Sequence, residues 1–295
     1  MDASLSLFAG WGEAWDVIAP EKQTSPLVFA SPHSGTRYSD EFLAASRLDP
    51  LTLRQSEDSF VDEIFADAPN RGAPLLRAHF PRAYIDPNRE PYELDPDMFA
   101  DELPSYVNTR SPRVGAGLGT IARVVANGEE IYRNKLNFDE AKARIERCYW
   151  PYHQALGHLI ESTRAQFGSC LLIDCHSMPS VGGPMDRDAG RRRVDFVLGD
   201  VFGTSCAAFV TDSVERFLRE RDYNVTRNLP YAGGFTTRHY GRPQTGVHAL
   251  QIEINRALYM DEDRFERRPY LSELAEAMSA LSERLGVLAA DALAA

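Results

Sequence analysis

Short runs of consecutive apolar residues alternate along this chain with longer segments in which apolar residues recur every three or four positions. The runs Leu27 to Ala30, Ala83 to Ile85, Ile121 to Val125, Leu171 to Ile173, Asp195 to Leu198 and Ala249 to Ile254 have strand length, and several are too continuously apolar for a sheet with one wet face. Ser59 to Ala68, Phe138 to Phe167, Ser205 to Arg221 and Leu271 to Leu293 carry their charges opposite an apolar stripe, which predicts amphipathic helices. Strands alternating with helices predict an α/β fold: a three-layer sandwich in which a mixed β-sheet is flanked by helices on both sides. Two stretches follow neither period. Residues 86–119, rich in Pro, Asp and Gly, and residues 177–193, containing VGGPMDRDAGRRR, read as long loops, and loops of that length inside a compact domain are often functional. There is no internal repeat and no Gly/Ser linker, so residues 1–295 read as one domain.

Composition narrows the function classes. With 295 residues and 43% hydrophobic content the chain can bury a substantial core. A formal charge of -11 and an isoelectric point near 5.2 argue against nucleic acid or an anionic membrane as partner, because each demands a basic face. An anionic small-molecule substrate must then be met by a few local arginines. The opening MDASLSLFAGWGEAW has no basic segment followed by an apolar one, and no run of eighteen apolar residues occurs, so the expectation is a cytoplasmic protein. Cys148, Cys170, Cys175 and Cys206 form no CxxC pair and read as reduced core thiols.

The chemistry starts from His33 and His176, which stand in matched settings, LVFASPHSG and CLLIDCHSM: an apolar strand, then a polar turn. In α/β proteins, ligands and catalytic groups gather beyond the carboxyl ends of strands. A hydrolytic metal site takes three ligands from His and Asp/Glu and leaves a position for water, so the two histidines supply candidate nitrogens for one divalent metal. No HxxE or HExxH spacing is present, since Thr36 stands three residues after His33. The acidic ligand must come from another segment, and Asp58 is favoured over its neighbour Glu57, although a carboxylate before a helix can also be an N-cap. The mixed nitrogen and oxygen set favours zinc, with manganese, cobalt and iron compatible.

Three further groups stand out. PRAYIDPNRE places Arg82, Asn88 and Arg89 together, suited to gripping a carboxylate, with pairing to Asp86 or Glu90 as the alternative. YAGGFTTRHYGRPQTG frames Arg238 and His239 with Gly233, Gly234 and Gly241, either a ligand-facing loop or a plain flexible turn. Glu253 sits in the apolar strand of GVHALQIEINR, where burial raises a carboxyl into the range useful for proton transfer unless an arginine such as Arg256 pairs with it. His79, His153, His158 and His248 read as structural.

Taken in order, SPHSG, EDSFVDEIF, PRAYIDPNRE, IYRNKL, WPYHQAL, DCHSM, GGFTTRHYG and GVHALQIEINR closely resemble the N-formylglutamate amidohydrolase family, from about Ser25 to Met260. The resemblance implies a fold akin to the zinc carboxypeptidases and the aspartoacylase/succinylglutamate desuccinylase group, with one catalytic metal, and a place in histidine degradation. It implies His33 and His176 as the first and last metal ligands, while the missing acidic residue three after His33 leaves Asp58 and Glu57 both open. It implies Asn88 and Arg89 as the pair holding a substrate carboxylate and Glu253 as the residue activating water. The expected reaction is hydrolysis of an N-acyl acidic amino acid, foremost N-formyl-L-glutamate to formate and glutamate. Arg82 would stabilise the oxyanion, Arg89 and Arg238 would hold the substrate's carboxylates, and His239 would also bind substrate. The alternatives are another N-acyl amino acid or small peptide as substrate, or a catalytically idle anion-binding protein.

Overall fold

A computed structural model describes residues 13–184, 186 and 188–293 of the chain. Most of the opening segment read above for a leader, residues 1–12, lies outside the described residues, as do Met185 and Arg187 of the 177–193 loop. The core is a seven-stranded mixed sheet. Its strands are β1 (Trp15–Ile18), β2 (Leu27–Ser31), β3 (Leu75–Ala78), β4 (Cys170–Met178), β5 (Phe196–Gly199), β6 (Val225–Arg227) and β7 (Val247–Asn255), in the order β1-β3-β2-β4-β7-β5-β6. Strands β3, β2, β4 and β7 run parallel. Strand β1 is antiparallel to β3, β5 is antiparallel to β7, and β6 is parallel to β5.

The strand period of two assigns the two faces. Val28 and Ala30 of β2 pack with Tyr149, Tyr152 and Leu156 of the helical segment that starts at Phe138. Leu27 and Phe29 face the other way, toward Val210 and Val214 of the Ala208–Arg219 helix and Leu281 and Leu285 of the Tyr270–Ala292 helix. Because both faces are covered, every residue of β2, β4 and β7 is buried, and these are the runs that read as continuously apolar. The expected three-layer α/β sandwich is the fold observed. The four cysteines are buried free thiols. No described helix is long and apolar enough to cross a membrane.

Several elements differ from expectation. Ala83 to Ile85 forms a buried turn, with the Tyr84 and Ile85 N–H groups both bonding to Pro81 O at 2.9 and 3.3 Å. Ile121 to Val125 is irregular chain touching Glu130 by a single bridge at Val124. Both runs are apolar because they are buried, and a short apolar run carries no periodicity that separates a strand from a packed loop. Strands β1, β3 and β6 escaped the reading because they are three or four residues long, and β1 and β6 are half-exposed edges. Ser59 to Ala68 holds only the short helix Val61–Ile64 before the chain tightens into a 3-10 turn at Ala68–Arg71.

The segment Phe138 to Phe167 is one helical run with a π-helical turn, Ile145–Tyr149, between Phe138–Arg144 and Trp150–Phe167. Pro151 has no N–H for the carbonyl four residues back and its ring crowds that carbonyl; the wider turn just upstream absorbs the misfit. Near this point His153 ties the helix to the site loops. Its Nε2 donates to Pro87 O at 2.8 Å and its Nδ1 stands 2.9 Å from the Tyr240 hydroxyl.

Burial pushes His153 down to about 4 from the ordinary 6.5, with the hydrogen bond to Pro87 O and the charge of Asp174 pulling the other way. Between those pH values the unfolded chain binds a proton that the folded chain refuses, so this contribution is complete above about pH 6.5 and is lost as pH falls toward 4. We predict that His153→Gln makes the fall in unfolding free energy over that window shallower by up to about 1.4 kcal/mol per pH unit. Urea unfolding at several pH values checks this; an unchanged slope would show that His153 is not held neutral.

Candidate active site

The longest pairing in the sheet places the reactive side chains. Strands β4 and β7 run in register from Cys170 beside Val247 to Met178 beside Asn255, which sets Asp174 beside Gln251 and His176 beside Glu253. The alternate residues Ile173, Cys175, Ile252 and Ile254 belong to the apolar cluster on the opposite face. Asp174, His176, Gln251 and Glu253 therefore form a polar patch on one face at the carboxyl end of two parallel strands. His33 joins it from the turn after β2.

Asp58 is the centre of this group. Its N–H bonds His33 O at 3.0 Å, and its carbonyl accepts from Ser34 Oγ at 3.1 Å and Val61 N–H at 3.3 Å. Phe60, two residues on, takes a left-handed conformation with φ of 67°, which costs an aromatic residue about 1–2 kcal/mol. The turn aims the Asp58 carboxylate inward. His33 Nδ1 lies 3.3 Å and His176 Nδ1 3.0 Å from the same oxygen, Oδ2. Oδ1 accepts from Arg256 Nη2 at 3.0 Å. Glu57 points elsewhere, saturated by Tyr38 Oη at 2.7 Å, Ser59 Oγ at 2.7 Å and Arg54 Nε at 3.0 Å. Of the two carboxylates left open by the sequence, the geometry brings Asp58 to the histidines.

The far sides of both imidazoles are held as well. His33 Nε2 is 2.7 Å from Asp86 Oδ1, whose other oxygen accepts from Arg82 Nε at 2.9 Å. His176 Nε2 stands 2.9 Å from Asp174 Oδ1 and 3.0 Å from Asn88 Nδ2. The contact with Asp174 is electrostatic rather than a well-angled hydrogen bond, since no hydrogen bond reaches that buried oxygen. Asp86 and Asp174 went unnoticed as site residues in the sequence. Asp174 was readable in retrospect, because an Asp two residues before a His on a strand shares its face.

This donor set fits a divalent transition metal. Two nitrogens and one carboxylate oxygen, all buried, lie within 4.8 Å of one another. Tetrahedral bonds of about 2.1 Å separate neighbouring donors by roughly 3.4 Å, near the nitrogen-to-oxygen spacings observed. Carboxylates behind the histidines are the usual means of fixing ring orientation at such sites. Burial works to raise the Asp58 carboxyl, but hydrogen bonds to His176 and His33 and the charges of His33 and Arg256 outweigh it and hold the group well below the usual carboxylate range. Burial likewise opposes ionisation of Asp86, and Arg89, His33 and Arg82 overcome it.

Glu253 behaves oppositely. Burial raises it to about 7; His176 and Arg82 pull it down, while Asp58 and Asp174 add to the rise. Arg256, considered above as its partner, goes instead to Asp58, Ser177 Oγ and Gln55 O. The neighbour of Glu253 is Gln251 Nε2 at 2.5 Å, and Gln251 Oε1 accepts the Gly234 N–H at 2.7 Å.

A cavity of about 860 Å³ opens over these groups, lined by His33, Asp58, His176 and Glu253, large enough for a small organic ligand. Arg82, Arg89, Arg113 and Arg238 line it too. Arg89 is anchored from behind, through Nε to Leu118 O and Nη1 to Asn88 O, both at 2.9 Å. Burial pushes it down to about 9, still charged at neutral pH. Arg82 and Arg89 both contact Asp86, so the alternative pairing expected for these arginines is present alongside their place in the cavity. Asn88 is locked by Thr236 N–H, which donates to its Oδ1 at 2.8 Å. Gly234 is required here, because a Cβ would stand 2.2 Å from Asn88 Oδ1. Arg238 and His239 sit exposed at the cavity wall, where His239 stacks on Phe235 with ring centres 4.8 Å apart. His248 Nδ1 accepts from Ala207 N–H at 3.1 Å, a structural contact.

Comparison with known proteins agrees with this architecture. Residues 25–260 match the family model described as N-formylglutamate amidohydrolase. The chain is 28% identical over 273 residues to an N-formylglutamate deformylase of Pseudomonas aeruginosa, covering 92% of this chain and 94% of that one. It is 29% identical to an N-formylglutamate deformylase of Pseudomonas putida, covering 88% and 90%. A crystal structure of an N-formylglutamate amidohydrolase from Ralstonia eutropha JMP134 superposes with a TM-score of 0.85 at 36% identity, over 94% of this chain and 98% of that one. The chain belongs to the N-formylglutamate amidohydrolase family.

Proposed function

We propose that this protein is a metal-dependent amidohydrolase, with residues 1–295 as one catalytic domain, that hydrolyses N-formyl-L-glutamate to formate and L-glutamate. The observation that carries the reading is the convergence of His33, Asp58 and His176 beside a buried glutamate, in a cavity lined by arginines. Its support is the family membership and the named activity of the relatives.

In this proposal His33 and His176, through Nδ1, and Asp58, through Oδ2, hold one divalent ion, foremost zinc. When bound, such an ion supplies Lewis-acid polarisation of the formyl carbonyl and lowers the pKa of water. Glu253 takes a proton from the attacking water as its oxygen bonds the formyl carbon. The same carboxyl then returns the proton to the amide nitrogen as the C–N bond breaks, releasing formate and the free amine. A group poised near 7 can serve both directions at neutral pH. Gln251 fixes the Glu253 side chain. Arg82, held to Asp86 through Nε, offers its terminal nitrogens to the oxyanion. Arg89 and Asn88 grip one substrate carboxylate, and Arg238 with His239 closes the outer wall.

The deciding experiment is formate and glutamate release from N-formyl-L-glutamate by the purified protein as isolated, after chelation, and after zinc is restored. We expect activity lost on chelation and recovered with zinc. No release in any arm with metal bound would indicate another N-acyl substrate; no release and no metal would indicate an anion-binding protein. Glu253→Gln is expected to lower kcat by about 10²–10⁴-fold with metal content intact, and near-normal turnover would remove Glu253 from proton transfer. Arg89→Ala is expected to act chiefly by raising KM for the diacid; an unchanged KM rules out the carboxylate grip. Arg256→Leu removes the support of Asp58 Oδ1 and is expected to weaken metal affinity about 10- to 100-fold, read by metal competition; unaltered affinity would show that Asp58 needs no such support.

A further inference from the structure

The cavity holds more positive charge than the reacting centre uses. Arg82 and Arg89 are tied from behind by Asp86 and by backbone carbonyls. Arg113 and Arg238 line the same cavity, yet among the described residues their guanidinium groups make no hydrogen bond and no ion pair. Arg113 comes from the 86–119 loop, singled out by length and composition but with no role assigned to this residue.

Its position is well determined. Arg113 lies on the short helix Pro112–Gly115, capped by Ser111, whose Oγ accepts the Val114 N–H at 3.1 Å and is bonded to Glu93. Leu118 links this segment to Arg89: its N–H donates to Arg113 O at 2.8 Å, and its carbonyl accepts from Arg89 Nε at 2.9 Å. The two guanidinium groups therefore hang from one hydrogen-bonded unit of backbone on one cavity wall. The acids whose fields reach Arg113 are already engaged. Asp86 serves His33, Arg82 and the Asn88 N–H, and Glu93 accepts from Ser111. Burial depresses Arg113, Asp86 and Glu93 offset this in part, and the like charges of Arg238 and Arg82 add to the depression. A half-buried cation beside other cations is stabilised by an incoming anion.

We infer that Arg113, together with Arg238, binds the second carboxylate of a dicarboxylic N-acyl amino acid and so selects acidic over neutral side chains. The inference rests on the amidohydrolase reading and adds to it the residue that distinguishes substrates. One carboxylate is met by Arg89 and Asn88; the other fills the site between the unpaired guanidinium groups. A neutral side chain of the same size leaves Arg113 desolvated without a counter-charge, and a missing charged partner is rejected more strongly than a missing methylene.

The test compares the metal-loaded wild type with Arg113→Gln and Arg113→Lys, using N-formyl-L-glutamate and its neutral isostere N-formyl-L-glutamine. For Arg113→Gln we expect kcat/KM on the glutamate compound to fall roughly 10- to 100-fold, mainly through KM. Activity on the glutamine compound should rise, because the variant no longer leaves a guanidinium desolvated without a counter-charge, and Arg113→Lys should recover part of the preference. Equal losses on both substrates, or an unchanged preference, overturn the inference. Calorimetric binding of glutarate, the bare five-carbon diacid, separates this from failure of the reaction itself. If wild type hydrolyses neither compound but binds glutarate, with affinity lost in Arg113→Gln and partly regained in Arg113→Lys, the amidohydrolase reading fails and the diacid site stands. Glutarate binding indifferent to position 113 refutes the site whatever the turnover.

Discussion

The structure turns on one buried carboxylate. Asp58 is 1% exposed, and an ion in that position is tolerated only when several partners compensate the lost hydration. Those partners come from three places: His33 from the turn after β2, His176 from the end of β4, and Arg256 from the chain just past β7. The carboxylate therefore joins the carboxyl ends of three parallel strands, and whatever fixes those strands fixes the site. Both imidazoles converge on a single oxygen. A divalent ion among the three donors would satisfy both nitrogens and that oxygen together, so the group could hold a metal ion.

Two carboxyls of this site have opposite characters. Asp58 is surrounded by donors and cations and stays ionised; Glu253 is buried beside other acids, with one amide donor, and sits near neutrality. Titratable groups forced apart in this way are what the proposed roles of anionic ligand and proton carrier require. The register of β4 against β7 sets where His176 and Glu253 stand. A slip of one residue would turn His176 or Glu253 into the opposite apolar layer, where Ile173 and Ile252 now pack. Nine consecutive pairs, with apolar residues interlocked on the far face, make such a slip costly.

What could be read in advance follows from the same physics. The buried strands β2, β4 and β7 and the long helices announce themselves by sustained period, and His33, His176 and Glu253 stand out because polar residues are rare in or beside such runs. Asp58 and Glu57 could not be separated by pattern, since adjacent residues in a turn differ only in direction, and that direction is set by the left-handed Phe60 and by the donors that claim Glu57. Arg256 was legible as a charge near Glu253 but not as the partner of Asp58, because the chain turns at the end of β7 and carries it to a residue 198 positions away in sequence. The turn at Ala83 to Ile85 was misread for the converse reason: burial without periodicity looks the same in a loop and in a strand. The loop 86–119 drew attention by length and composition, and nothing in its local pattern set Arg113 apart from Arg110.

Charge completes the argument for a small anionic ligand. The chain as a whole carries -11, yet the cavity is lined by five arginines, of which Arg113 and Arg238 have no acidic partner among the described residues. Exposed acids on the outer surface are screened beyond about 8 Å at physiological ionic strength, whereas charges inside a partly enclosed cavity are screened far less. An anion small enough to enter therefore meets the local cationic field, while a large polyanion meets the negative exterior first. This separation of outer and inner charge is the physical basis on which an acidic protein could bind the compact diacid proposed above.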